Sequence, residues 1–77
     1  MKITNESLKV FLSHAADACN WNGTPMLEIT KEQRGNLTQL KKAGLLTTFR
    51  SDGIDWVDFT EAGIELAKGH GITNIQR

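Results

Sequence analysis

The chain has 77 residues, nine basic and nine acidic, so its formal net charge is zero. A domain of this length buries only about 60–65% of its unfolded surface, which leaves little room for a deep substrate pocket. Many nucleic-acid-binding domains carry a strong overall positive charge, so the net charge of zero removes this general argument for a nucleic-acid partner.

The first predicted element is an amphipathic helix from about Glu6 to Asn20. Apolar residues recur at steps of three and four residues, and they are Leu8, Phe11, Leu12, Ala15, Ala18 and Cys19. Asn5 is a suitable N-cap, and Glu6 follows in the first turn, where the helix dipole favours an acid. We expect Cys19 in the core and His14 on the surface. Asn22-Gly23 then predicts a turn.

A short extended segment and a second helix follow. Pro25–Ile29 is predicted as a strand, because its proline cannot lie inside a helix. Thr30 and Gln33 have the T-x-x-Q spacing of a capping box. The second helix is predicted from Lys31 to Ala43, and Gly44 can adopt the left-handed conformation that ends a helix.

The sequence leaves open whether residues 30–43 form one helix or two. Gly35-Asn36 is also a turn signal. Asn36 would then cap a shorter helix, and Gln39 would complete the capping box of that helix.

A β-hairpin and a third helix complete the chain. Leu45–Arg50 and Ile54–Phe59 are predicted strands on either side of Ser51-Asp52-Gly53, in which the glycine can adopt a positive φ. Thr60 is predicted to cap a helix from Glu61 to about Lys68. We expect one α+β domain over residues 1–71, in the order helix, short strand, helix, hairpin, helix. Residues 72–77 are predicted to form a loose tail.

Leucines near a helix end, a Gly-Leu-Leu step and a strand ending in V-x-F-T-x-x-G follow one another between residues 30 and 67. The residues are Leu37, Leu40, Gly44, Leu45, Leu46, Val57, Phe59, Thr60 and Gly63. This pattern resembles the winged helix-turn-helix family, particularly the MarR-like repressors. The resemblance implies a small winged-helix-like domain that binds DNA through the helix before the hairpin. That family has two helices before the hairpin, whereas residues 30–43 have room for one of ordinary length or two very short ones.

The second helix carries the candidate nucleic-acid-binding residues. A step of 100° per residue defines the face opposite the core leucines Leu37 and Leu40. That face contains Lys31, Gly35, Thr38, Gln39 and Lys42, with Arg34 and Lys41 on one flank. The basic side chains suit phosphates, and Thr38 and Gln39 suit base edges. The alternative is that these polar residues only solvate an exposed helix.

Charge is distributed unevenly along the chain. Residues 30–50 carry five basic side chains and one acidic side chain, whereas residues 51–67 carry five acidic and no basic ones. Arg50 lies near the hairpin tip, where the resemblance implies an accessory DNA contact, but it can equally pair with Asp52 or Asp55. Because one domain contacts little DNA, we expect a homodimer on double-stranded, palindromic DNA.

The hairpin also favours a second hypothesis, an interface for another protein. Phe49, Ile54 and Trp56 are predicted on the face of the hairpin that points away from the core. Exposed aromatic residues often mark such interfaces, and the acidic hairpin would repel phosphates. The alternative is that one of the chain ends covers Trp56.

The sequence contains no pattern that indicates catalysis. A nucleophile elbow, a phosphate-binding loop and a metalloprotease motif are all absent. His14 and His70 lack the spacing of a metal site. We therefore expect no enzyme activity and no metal or other cofactor. With a single cysteine, no signal-peptide pattern and no run of ~20 apolar residues, we expect a cytoplasmic protein without a membrane partner.

Overall fold

The computed structural model describes residues 3–19, 24–73 and 75. The elements are α1 (Asn5–Ala18), a 3-10 turn (Lys31–Gln33), α2 (Arg34–Lys42), β1 (Leu46–Ser51), β2 (Ile54–Phe59) and α3 (Glu61–Gly69). Strands β1 and β2 form an antiparallel hairpin, which we call the wing. The fold is therefore α+β with a winged-helix-like order of elements, as the sequence predicts.

Helix α1 begins one residue earlier than predicted. The hydroxyl of Thr4 accepts a hydrogen bond from the Ser7 N–H at 3.1 Å, so Thr4 is the N-cap and Asn5 lies inside the helix. The helix ends at Ala18. The predicted end at Asn20 and the predicted turn at Asn22-Gly23 lie outside the described residues.

His14 is buried, with 3% of its surface exposed, so the predicted surface position is wrong. Nδ1 lies 2.8 Å from the Val10 carbonyl oxygen, and Nε2 lies 3.0 Å from the Glu28 backbone nitrogen. A carbonyl can only accept and an N–H can only donate, which assigns the proton to Nδ1. His14 therefore connects α1 to the segment before α2. Cys19, predicted in the core, is exposed.

The predicted strand at residues 25–29 is only a short extended segment. Met26 forms an isolated antiparallel bridge with Trp56. The Leu27 N–H donates to the Asp55 carbonyl at 2.9 Å, and the Pro25 carbonyl accepts from the Val57 N–H at 2.8 Å. Strand β2 thus lies between β1 and this segment.

One continuous helical segment follows Thr30. The predicted capping box is present, and Gln33 Oε1 accepts from the Thr30 N–H at 3.0 Å. The first turn is 3-10, and α2 then continues through Gly35 and Asn36. The alternative of two helices separated at these residues is therefore wrong. Gly44 ends the helix with a φ of +74°, as predicted.

The wing has a tighter turn than predicted. Ser51 pairs with Ile54, and the two residues between them, Asp52 and Gly53, have φ values of +54° and +77°. Positive φ at both positions is the geometry of a type I′ turn, whose twist matches that of paired strands. Strand β1 accordingly extends to Ser51, and at its other end it begins at Leu46 instead of Leu45.

The core lies between the helices and one face of the wing. The Phe11 and Phe59 rings meet edge to face, with centroids 5.4 Å apart. The buried apolar residues around them are Val10, Ala15, Ala18, Leu37, Leu40, Leu45, Leu46, Val57 and Ala67. Leu37 and Leu40 face the core and Val57 and Phe59 lie on the buried wing face, as the periodicities predict.

Helix α3 begins where the wing returns to the end of α2. The Thr60 hydroxyl accepts from the Gly63 N–H at 3.1 Å and donates to the Gly44 carbonyl at 2.6 Å. The Thr60 N–H donates to the Leu45 carbonyl at 3.3 Å. One residue therefore caps α3, as predicted, and also fastens it to the end of α2.

Two residues of the predicted loose tail pack against the rest of the fold instead of being loose. The Ile72 N–H donates to the Ala67 carbonyl at 2.9 Å, and Ile72 and Ile75 pack, partly buried, against the core. Residues 74, 76 and 77 lie outside the described part. None of the helices in the described part is long and apolar enough to cross a bilayer.

Gly63→Ala should destabilise the fold by about 1–3 kcal/mol, because a Cβ at this position would collide with the Leu45 carbonyl oxygen. A backbone carbonyl cannot rotate away as a side chain can. The matched control is Gly35→Ala, where an added Cβ meets no described atom within 4 Å. Its better helix propensity should stabilise the protein by up to about 1 kcal/mol. Urea unfolding of both variants measures the two changes, and equal effects would contradict this packing.

His14→Leu should lower the free energy of unfolding by about 1–3 kcal/mol, because it leaves the Glu28 N–H without its acceptor. Ser13→Ala, at the exposed neighbouring position, should change it by less than about 0.5 kcal/mol. Thermal and urea unfolding measure both effects. An unchanged stability of His14→Leu would show that the two ring bonds contribute nothing.

Candidate nucleic-acid interface

One face of the wing changes character along its length. At the base this face carries the buried Leu46 and Phe59. In its middle the buried Val57 lies opposite Thr48, and at the tip Arg50 lies opposite Asp55. Residues two apart on a strand share a face, so this change follows directly from the sequence. The tip half of the core face is therefore polar and lies open beside α2.

An open groove of about 630 Å³ lies between α2 and this polar half of the wing. Its lining on the helix side is Lys31, Arg34, Thr38 and Lys41. Leu27, Ile29 and Leu37 are its apolar residues, and Thr48, Arg50 and Asp55 are its wing residues. We call this the α2–wing groove.

The groove brings together five of the seven predicted nucleic-acid-binding residues. These are Lys31, Arg34, Thr38, Lys41 and Arg50. Arg34 and Lys41, predicted on the flank of α2, are thus central to the site. Lys42 is exposed but does not line the groove. Gly35 is also exposed, and no described atom would contact a Cβ there, so it makes no tight packing contact within this part of the domain.

Gln39 does not share the face of Thr38 and does not line the α2–wing groove. Its Oε1 accepts from the Thr4 N–H at 2.8 Å. Beside it, Asn36 Oδ1 accepts from the hydroxyl of the buried Ser7 at 3.1 Å. These side chains lie on the flank of α2 that faces α1, and their hydrogen bonds help to position the helix.

Arg50 pairs with Asp55 across the wing, which was one of the alternatives in the sequence. Nε lies 3.0 Å from Oδ1 and Nη2 lies 3.3 Å from Oδ2, so the contact is bidentate. The Arg50 hydrogen bond is the main cause that lowers the pKa of the Asp55 carboxyl, and the charge of Lys41 lowers it further. The same bond raises the pKa of Arg50. The charged form of Asp55 is therefore stabilised by cations on both walls of the groove, Arg50 on the wing and Lys41 on α2.

The remaining groove cations form no ion pair with any residue that the structure describes. Within the described residues, ion pairs join Lys9 to Glu6, Arg50 to Asp55, and Lys68 to Glu65. Lys31, Arg34 and Lys41 are exposed and form none of these pairs. They are therefore the cations that an anionic ligand can reach without first displacing a carboxylate.

The outer face of the wing, which bears Phe49, Ile54 and Trp56, carries a row of apolar side chains. Phe49 lies opposite Trp56, and Met26 lies opposite Trp56 on its other side. Phe49, Ile54 and Met26 are 44%, 38% and 36% exposed. Trp56 is half-buried, and its indole N–H donates to the Ser51 carbonyl at 3.4 Å. The sequence prediction identified this face but missed Met26, which only the bridge to β2 brings there.

Comparison of the chain with protein-family models, curated proteins and solved structures finds no match. Within the described residues, no group of three or more histidine, cysteine, aspartate or glutamate side chains could hold a metal ion.

Asp55 should titrate at a lower pH than an ordinary aspartate, because the Arg50 guanidinium stabilises its charged form. A ¹³C NMR titration of the carboxyl groups measures the midpoint. In Arg50→Gln the midpoint should rise toward the ordinary value of about 3.9. An unchanged midpoint in that variant would contradict the bidentate pair.

Proposed function

We propose that the protein is a small intracellular DNA-binding protein, a transcriptional or accessory regulator that binds double-stranded DNA through the α2–wing groove. One observation carries the proposal. A chain without net charge gathers Lys31, Arg34, Lys41 and Arg50 around a single open groove. Clustering of cations on one surface, more than total charge, determines where a phosphate backbone binds.

Different groove residues would contact different parts of the DNA. Lysine and arginine suit phosphate oxygens, which fix the position of the protein on the duplex. Thr38 is exposed, and its hydroxyl, which donates to the Arg34 carbonyl at 3.1 Å, can still accept from a base edge. Helix α2 would enter the major groove, as the resemblance to winged helix-turn-helix proteins implies.

A homodimer belongs to the same proposal. One small module contacts only a short stretch of DNA, and two copies on a palindromic site double the contacts. Lys42, outside the groove on exposed α2 surface, would add a peripheral phosphate contact in either state.

Titration of a labelled random duplex against the protein tests the proposal. We expect dissociation constants of about 10⁻⁶–10⁻⁴ M near physiological salt and tighter binding at lower salt. Arg34→Gln and Lys41→Gln should each weaken binding and reduce the slope of log K against log salt by about 1. Lys9→Gln and Lys68→Gln remove the same charge outside the groove, and they should leave the slope nearly unchanged. Equal effects of all four variants, or no binding at low salt, would contradict the proposal.

The exposed row on the outer face favours a second candidate function, binding of another protein. Met26, Phe49 and Ile54 place apolar surface around the half-buried Trp56, and large exposed side chains of this kind are frequent in interfaces. Phe49→Thr/Ile54→Thr should abolish retention of a specific partner by the immobilised protein, whereas Lys41→Gln should retain it. A partner bound equally by all three forms would contradict a role of the outer face.

A further inference from the structure

The α2–wing groove contains one carboxylate, that of Asp55, among its cations. Both Asp55 oxygens face the Arg50 guanidinium, at 3.0 and 3.3 Å from Nε and Nη2. The other two wing acids are elsewhere, since Asp52 lies in the turn and Asp58 pairs with Thr47 on the outer face. Asp55 is therefore the wing acid that a ligand in this groove would meet.

A carboxylate and a phosphate compete for the same guanidinium. Arginine binds both through two parallel N–H donors, and Asp55 already occupies such a pair on Arg50. The carboxylate also lowers the positive potential that Lys41 and Arg34 create across the groove. A ligand therefore gains the Nε–Nη2 edge of Arg50 only if it displaces Asp55.

We propose that Asp55 is a selectivity residue of the groove, which keeps the Nε–Nη2 edge of Arg50 from isolated anions and releases it to a phosphate backbone that spans both walls. The inference rests on the proposed function, because it concerns the same ligand and the same groove. A backbone held by Lys31, Arg34 and Lys41 brings a further phosphate to the wing at high local concentration. A short anion that contacts only one wall is not held at this high local concentration near Arg50.

This role of Asp55 implies two effects on ligand binding. Loss of the carboxylate should strengthen binding of any polyanion, because Arg50 is then free and the groove more positive. It should also reduce the preference for a long duplex over a short polyphosphate, because a short anion then reaches Arg50 without competition.

The experiment compares Asp55→Asn with Asp58→Asn, which removes the same charge from the outer face. The probes are a 20-base-pair random duplex and inorganic tripolyphosphate, each titrated at low and moderate salt. For Asp55→Asn we expect about two- to fivefold tighter duplex binding, the scale of an exposed ion pair, and a salt slope steeper by about 1. Its gain for tripolyphosphate should be larger than its gain for the duplex. Asp58→Asn should change each of these quantities less.

A second pair of variants separates the local contact from simple loss of charge. In an Arg50→Gln background, Asp55→Asn should give a smaller gain in duplex affinity than in the wild type, because there is no guanidinium to release. Circular dichroism and urea unfolding establish that each variant is folded, and Asp55→Ser repeats the test with a different neutral side chain.

The outcomes distinguish the two claims. Wild-type binding with an equal gain in both backgrounds, or with no gain from Asp55→Asn and Asp55→Ser, overturns the role of Asp55 and leaves the DNA proposal standing. Absence of duplex binding by the wild type and every variant at low salt overturns both.

Discussion

Two backbone carbonyl groups, those of Gly44 and Leu45, hold α2, the wing and α3 together. Thr60 donates its hydroxyl to the first at 2.6 Å and its N–H to the second at 3.3 Å. Gly63 allows α3 to pack directly on the Leu45 carbonyl. Because the Leu45 N–H also donates to the Leu40 carbonyl at 3.2 Å, the end of α2 and the base of the wing form one hydrogen-bonded junction. The angle between α2 and the wing, and hence the width of the groove, depends on this junction.

The site follows from that junction and from the alternation of residues along the wing. The face that buries Phe59 at the base and Val57 in the middle presents Arg50 and Asp55 at the tip, across the groove from the cations of α2. Net charge is a poor guide to such a surface, because the acids of residues 51–67 are spread over the turn, the outer face and α3. Only Asp55 among them lies in the groove.

Sequence reasoning predicted the elements whose signals are local. The capping box of Thr30 and Gln33, the two buried leucines of α2, the glycine that ends it and the strand alternation of the wing all depend on residues a few positions apart. It did not predict the contacts that a side chain makes with a distant element. His14 bonds to Glu28 across 14 residues, and Gln39 bonds to Thr4 across 35. No local pattern distinguishes such a histidine or glutamine from a solvent-exposed one. The groove was predicted only in part. The helix and the hairpin that form its walls were predicted from local signals, but the distance between them depends on packing.

The central claim is that α2 and the polar half of the wing form one surface that binds the DNA backbone. A ¹H–¹⁵N NMR titration of the protein with duplex DNA tests it most directly, because every described backbone amide reports separately. Amide shifts that change together in Lys31–Lys41 and in Thr48–Asp55, with little change in α3, are the predicted result. Shifts confined to one wall, or centred on Met26 and α3 instead, would contradict the account.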